Sequence, residues 1–166
     1  MIQRIQSLFL LCTAIVSGLM FFVPVASFID SMPSVPEHRI YSVYTFMAVE
    51  AGTKPTFITW NGYSMALNVI ITVLAIITIL VCMRKSGTAK SVLFLQLRLC
   101  VVNIVLQLGL LVLMWLQIRR WAENIGAEWT ANIGFMFPVV GVIFTWLALR
   151  GIVKDIVLLK SSDRIR

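Results

Sequence analysis

The chain has 166 residues, of which 60% are hydrophobic and only 13% charged, with a formal net charge of +7 and a mean hydropathy of +0.95. Soluble domains are roughly 45–50% apolar and about 25% charged. A chain of this length has no water-soluble fold that hides so much apolar surface, which excludes a disordered segment, a collagen-like repeat and a soluble enzyme. The expectation is an all-α membrane protein.

Four stretches carry no charge: Ile5–Ile29, Pro55–Met83, Leu99–Ile118 and Trp129–Leu149. About 20 helical residues cross a hydrocarbon core roughly 30 Å thick, so each stretch is long enough to cross once and none twice. Trimmed at turn signals, they predict transmembrane helices near 5–28, 63–83, 92–118 and 134–158, packed as a four-helix bundle. Arg4 and the apolar run up to Val25-Ala26-Ser27 also resemble a signal peptide. The run is longer than such a core needs, so a retained span is expected. Pro24 and Pro138 are expected inside helices, where membrane proteins tolerate them.

Between the first two spans, the loop 30–62 opens with Pro33 and Pro36 and is extended at its start. Arg39–Val49 then reads as one strand rich in β-branched and aromatic residues. Residues 50–54 read as a turn and Thr56–Trp60 as a second strand, which together predict a small β-hairpin. A lone hairpin is marginal in water, so it is expected on the helix ends or against a partner, with an open edge able to accept another strand. The short loop 84–91 holds Arg84-Lys85-Ser86-Gly87. Residues 119–133 form a second loop with Gly126, and residues 159–166 a polar tail.

Basic residues favour the cytoplasmic side of short loops. With the N-terminus inside, Arg4, Arg84, Lys85, Lys90, Arg98, Arg150, Lys154, Lys160, Arg164 and Arg166 are cytoplasmic, ten of the fourteen Lys and Arg. Both termini are therefore expected in the cytoplasm, and both the hairpin and residues 119–133 outside it. Trp60, Tyr63, Trp115, Trp121 and Trp129 fall at the outer boundary, where amphipathic rings prefer to sit. The positive charge is a topological signal, since no basic patch interleaved with stacking aromatics points to nucleic acid.

Reactive groups are few. His38 is the single histidine, and Glu37-His38 alone does not make a metal site. Cys12, Cys82 and Cys100 all fall in predicted helices and read as packing residues. No zinc-protease helix, phosphate-binding glycine loop or Gly-x-Ser-x-Gly elbow occurs. None of the seven carboxylates lies in a charge-free run, which leaves no buried acid for a proton relay. No catalytic residue, metal or cofactor is expected, and a non-enzymatic role follows.

Uncharged polar and small residues recur at helical spacing instead. Gln96, Asn103 and Gln107 share one face of the third helix, and Asn61, Asn68, Thr72, Ala75 and Cys82 one face of the second. Gly134, Pro138, Gly141, Thr145 and Ala148 share a face of the fourth, and Ser7, Ala14 and Gly18 one of the first. Such faces meet other helices, because lipid offers no hydrogen-bond partner. The intramembrane polar cluster Asn68, Asn103 and Gln107 is the candidate site, read either as interhelical glue or as the lining of a small polar cavity. Arg98, Arg150 and Lys154 are candidate contacts on the cytoplasmic side. Arg98 is expected to snorkel to the headgroups. Beyond Gly151, Ile152, Val153, Ile156 and Val157 are expected to form an apolar stripe.

Met1-Ile2-Gln3-Arg4-Ile5-Gln6, Gln96-Leu97-Arg98-Leu99-Cys100, Leu147-Ala148-Leu149-Arg150-Gly151-Ile152 and Ser162-Asp163-Arg164-Ile165-Arg166 resemble an uncharacterised four-span membrane family of Bacteroidota. The resemblance covers the whole chain and implies an inner-membrane address, but no activity. The outline is also similar to claudin-like tetraspans, without their paired loop cysteines. Two functional classes follow: an accessory or scaffolding subunit that binds the lipid bilayer and another membrane protein or itself, and a small transporter or channel, oligomeric, using the polar cluster.

Overall fold

The computed structural model describes residues 2–29, 38–43, 45–49, 56–83 and 89–162. Four helices run antiparallel to their chain neighbours: α1 (Ile2–Leu19), α2 (Gly62–Met83), α3 (Ala89–Ile125) and α4 (Phe137–Ser162). α1 packs against α2 and α4, and α3 packs against the same two, so the helices form a ring. Three of them, over Gly62–Val81, Ser91–Asn124 and Ile133–Leu158, are long and apolar enough to cross a membrane, while Gln6–Leu19 is a shorter apolar helix.

Burial repeats at alternating intervals of three and four. On α3 it falls at Leu93, Gln96, Cys100, Asn103, Gln107, Leu110 and Met114, and on α4 at Pro138, Gly141, Thr145, Ala148 and Ile152. α2 buries Ser64, Asn68, Ile71, Ala75 and Thr78 in the same rhythm. A mean spacing of 3.5 keeps one seam facing the neighbours when helices cross at about 20° in the left-handed sense. The outward positions are apolar, among them Leu8, Ile15, Leu80, Val105, Val112 and Ile143, all exposed. A surface greasier than the interior seam suits lipid rather than water.

α1 departs from the expected face. Its buried positions are Gln6, Leu10, Thr13, Ser17 and Met20, whereas Ser7, Ala14 and Gly18 are half-buried. The seam is rotated by one residue, about 100°. Small residues suggested close approach, but hydroxyls that bond back to their own helix can be buried as well. Thr13 Oγ1 donates to Phe9 O at 3.1 Å and Ser17 Oγ to Thr13 O at 3.0 Å.

α1 also ends at Leu19 instead of running to 28. Phe21 N–H bonds Gly18 O at 3.2 Å and Phe22 N–H bonds Leu19 O at 3.0 Å, a tightening that closes the last turn. Pro24 then disfavours helical geometry at Val23 and supplies no donor. Pro138 does not kink α4 either. A 3-10 turn at Ile133–Met136 precedes α4, and Pro138 sits in the first helical turn, where its missing N–H costs no helical bond. α3 runs 37 residues, about 55 Å at 1.5 Å per residue, and so extends into the stretch read as a loop at 119–133. It stops at Gly126, whose φ of 67° fits a left-handed helix cap.

The expected hairpin is part of a larger sheet. The segments β1 (Ala26–Ile29), β2 (His38–Tyr41), β3 (Thr45–Val49), β4 (Thr56–Trp60) and β5 (Glu128–Ala131) form one antiparallel sheet in the order β4-β3-β2-β1-β5. Arg39–Val49 is thus two strands, reversed near Ser42, whose N–H bonds Thr45 O at 2.8 Å. β1 comes from the stretch read as the end of the first helix, and β5 from the second loop. β3 pairs with β4 through an irregularity at Phe46/Met47. The turn expected at 50–54 and most of the loop 84–91 lie outside the described residues.

Two apolar clusters fill the bundle. Near the sheet, Met20, Val25, Phe28, Tyr41, Val43, Leu110, Met114 and Ile118 pack together; at the opposite end Leu10, Leu93, Cys100, Ala148 and Ile152 do.

Candidate functional site

The amide cluster expected from sequence is buried at the level where these two apolar clusters meet. Asn68, Asn103 and Gln107 are each at most 2% exposed. Asn68 Nδ2 donates to Ser17 O at 3.0 Å, joining α2 to α1. Gln107 Nε2 donates to Thr145 Oγ1 at 3.3 Å, joining α3 to α4. The Thr13 and Thr145 hydroxyl oxygens lie 3.3 Å apart across α1 and α4, and Thr72 Oγ1 reaches Ser17 Oγ at 3.1 Å. The Asn68–Ser17, Gln107–Thr145 and Thr72–Ser17 bonds each cross a helix boundary.

The bonds leave a residue. Asn68 Oδ1, Gln107 Oε1 and both amide atoms of Asn103 have no hydrogen-bond partner among the described residues. Thr13, Ser17, Asn68, Gln107 and Gly141 line a cavity of about 10 Å³, room for roughly one water. Asn103 is not among its lining residues, so the structure brings two of the three amides to one void and leaves the third a turn away on α3.

The cytoplasmic-side candidates do not converge in this way. Arg98 is exposed on α3 and Lys154 on α4, and Arg150 is exposed with its guanidinium 5.8 Å from the Trp146 ring centre. Of the stripe past Gly151, Ile152 is buried and Ile156 partly so, whereas Val153 and Val157 are exposed. Sequence reasoning missed Asp155, which accepts from Gln6 Nε2 at 2.8 Å. The available signal was the shared position of both residues at the end of the α1–α4 seam.

Two features at the sheet end also escaped the sequence. Tyr41 OH and Ser64 Oγ both donate to Gln117 Oε1, fastening β2 to α2 and α3. Burial pushes the Tyr41 phenol up to about 12. Gln117 also lines an open groove of about 290 Å³, walled by Trp60, Tyr63, Arg120 and Trp121. The second feature is the outer edge of β5, exposed at all four residues.

Cys100 is buried in the apolar cluster and Cys12 half-buried. His38 stands opposite Ile29 and Val49 in the sheet register. Among the described residues no three His, Cys, Asp or Glu approach one another closely enough to hold a metal.

The profile of a domain of unknown function, DUF4293, matches residues 2–165. The chain belongs to that family. No curated protein matches it. Membership in DUF4293 agrees with the resemblance to an uncharacterised family and transfers no site residue, so the reading of the chain rests on its own geometry.

Proposed function

We propose that this DUF4293 protein is a non-enzymatic accessory or scaffolding subunit of the bacterial inner membrane. It crosses four times with both termini in the cytoplasm and holds its sheet on the outer side for a partner membrane protein to pair with. The carrying observation is the β5 edge. Asn132 N–H bonds Val25 O at 2.9 Å, and the β1–β5 register pairs Ser27 with Thr130 and Ile29 with Glu128. Hydrogen-bonded pairs alternate along an antiparallel ladder, so Glu128 and Thr130 point their backbone groups at β1. Trp129 and Ala131 point theirs away from it. An open row of N–H and C=O groups is a template for an added strand.

The amide cluster supports the same reading. Its bonds join neighbouring helices, and the void it lines has the volume of one water, far below the several hundred Å³ of a small-molecule pocket. The ten basic residues expected in the cytoplasm support the orientation, as do the exposed Trp60, Tyr63 and Trp129 at the sheet end.

The test is native purification of a tagged copy from its own membrane in mild detergent, beside an Ala131→Pro variant. Proline there removes an outward N–H and takes no bond from β1. A stoichiometric partner retained by the wild type and lost by the variant is expected. A clean monomer or homo-oligomer would overturn the scaffold role, and a partner held equally by the variant would move docking away from β5.

A further inference from the structure

We infer that the cavity between Asn68 and Gln107 is a binding site for a single water molecule, held where all four helices meet. The polar partners fix the direction of both amides. Ser17 O is an acceptor only, so the Asn68 atom bonded to it is Nδ2, and Oδ1 is the one left over. Thr145 Oγ1 gives its one proton to Gly141 O at 2.8 Å, and so accepts from Gln107 Nε2 at 3.3 Å. That leaves Oε1 over. Both orphans are therefore acceptors, and the missing ligand must be a donor of at least two hydrogens.

Size and charge narrow the class further. A void of about 10 Å³ is on the scale of one water and no larger solute. Cations are strongly hydrated and want several oxygen ligands, often charged ones; the unpartnered acceptors here are two neutral amide oxygens and no carboxylate lines the cavity. Water meets the requirement with its two protons and adds no charge. The site has walls from α1 (Thr13, Ser17) and the turn after it (Met20), α2 (Asn68), α3 (Gln107) and α4 (Gly141). A Cβ at Gly141 would lie 3.0 Å from Gln107 Oε1, so this unpartnered oxygen stands against the α4 wall. The bound water would bridge α2 to α3 by a path that no direct side-chain bond in the cluster supplies.

Met20 provides the readout. It lines the cavity yet is only 1% exposed, while Met136 is 53% exposed. Hydroxyl radicals generated by an X-ray pulse oxidise side chains beside ordered water, so footprinting of the purified full chain in detergent should label Met20 as well as Met136. Loss of the Met20 label in Gln107→Leu and in Asn68→Leu, with Met136 unchanged, is the expected result. An unlabelled Met20 in the wild type would overturn the site. Equal labelling in wild type and folded variants would mean solvent entry in place of a held water, and would overturn it too. If the variants do not fold, rapid mixing of the wild type into ¹⁸O-water before the pulse decides. A Met20 oxygen that lags Met136 in taking up ¹⁸O supports a held water, and simultaneous uptake refutes it.

Discussion

The 3-10 turn before α4 and the body of α4 each make contact with α1 or its continuation through a glycine, and the contrast between them shows how differently the bundle is closed. At the sheet end Gly134 lies against the backbone of Pro24, where a Cβ would come 2.6 Å from the carbonyl oxygen. Farther along, Gly151 lies against Gln6, where a Cβ would come 2.9 Å from the side-chain Cγ. Around Gly134, strands from two loops, a buried Tyr41–Ser64–Gln117 cluster and a large apolar core all converge. Around Gly151 there are a smaller apolar cluster and one Gln6–Asp155 bond. Backbone against backbone leaves nothing free to move aside, whereas backbone against a long side chain does. The sheet end is therefore expected to behave as the rigid part of the molecule and the other end as the adaptable one.

Gly134→Ala should do the most damage. The added methyl meets a carbonyl oxygen fixed by the β1 sheet entry, and overpacking of that kind costs about 3 kcal/mol. Thermal unfolding in detergent should show a large fall in Tm, with loss of strand signal preceding loss of helix. An unchanged Tm would mean that Pro24 and Gly134 are not in contact, and the rigidity argument would go with it.

Tyr41→Phe removes one hydroxyl from the cluster that fastens the sheet to α2 and α3, while Ser64 can still donate to Gln117. The cost should be about 1 kcal/mol. Its pH dependence is more telling. The folded-state pKa is raised from 10.0 to about 12 by burial, so the folded protein keeps the phenol proton longer than the unfolded chain. The stability this gives is complete below pH 10 and is lost as pH climbs from 10 towards 12. Unfolding titrations should show that alkaline decline in the wild type and a shallower one in Tyr41→Phe; parallel curves would place the Tyr41 hydroxyl in water.

Much of this contrast was hidden in the sequence for physical reasons. The polar faces of α3 and α4 were legible, and that of α2 in part, with Asn68 and Ala75 buried but Thr72 half-buried, because a helix imposes its 3.6-residue period on any residue that must avoid lipid. Asn68, Asn103 and Gln107 are all buried as that period requires. The extent of the sheet was not legible. β1 lies in a charge-free apolar run and β5 is four residues long, and neither carries a pattern that a short buried helix end or loop would lack. Pairing β1 with β5 joins residues a hundred positions apart, a long-range choice made by packing. Pro24 was a readable stop signal that the length of the apolar run outweighed.

Between the two ends lies Asn103, which tests whether burial of polarity is always used. Neither of its amide atoms has a partner among the described residues, and an unpartnered buried polar group is destabilising. Asn103→Leu, nearly isosteric and apolar, should raise stability by about 1 kcal/mol without altering the oligomeric state in detergent. A fall in stability would show that the amide is satisfied inside the bundle, by an ordered water, and is not a net cost.

The smallest effect is expected at Gly151→Ala, and it is the counterpart that completes the comparison. Alanine in a helix interior gains roughly 0.5–1 kcal/mol over glycine from the backbone. Against this, the buried Gln6 must swing its Cγ out of a 2.9 Å approach and strain its bond to Asp155, 2.8 Å long in the native arrangement. The two terms are of similar size, so Tm should change by no more than a degree or two, about 0.5 kcal/mol at most on that balance. The same methyl group is thus predicted to be far costlier in the 3-10 turn before α4 than within α4. If Gly151→Ala proved as costly as Gly134→Ala, Gln6 would have to be as immobile as a backbone carbonyl. The Gln6–Asp155 bond would then rank with the sheet as a second rigid closure of the bundle.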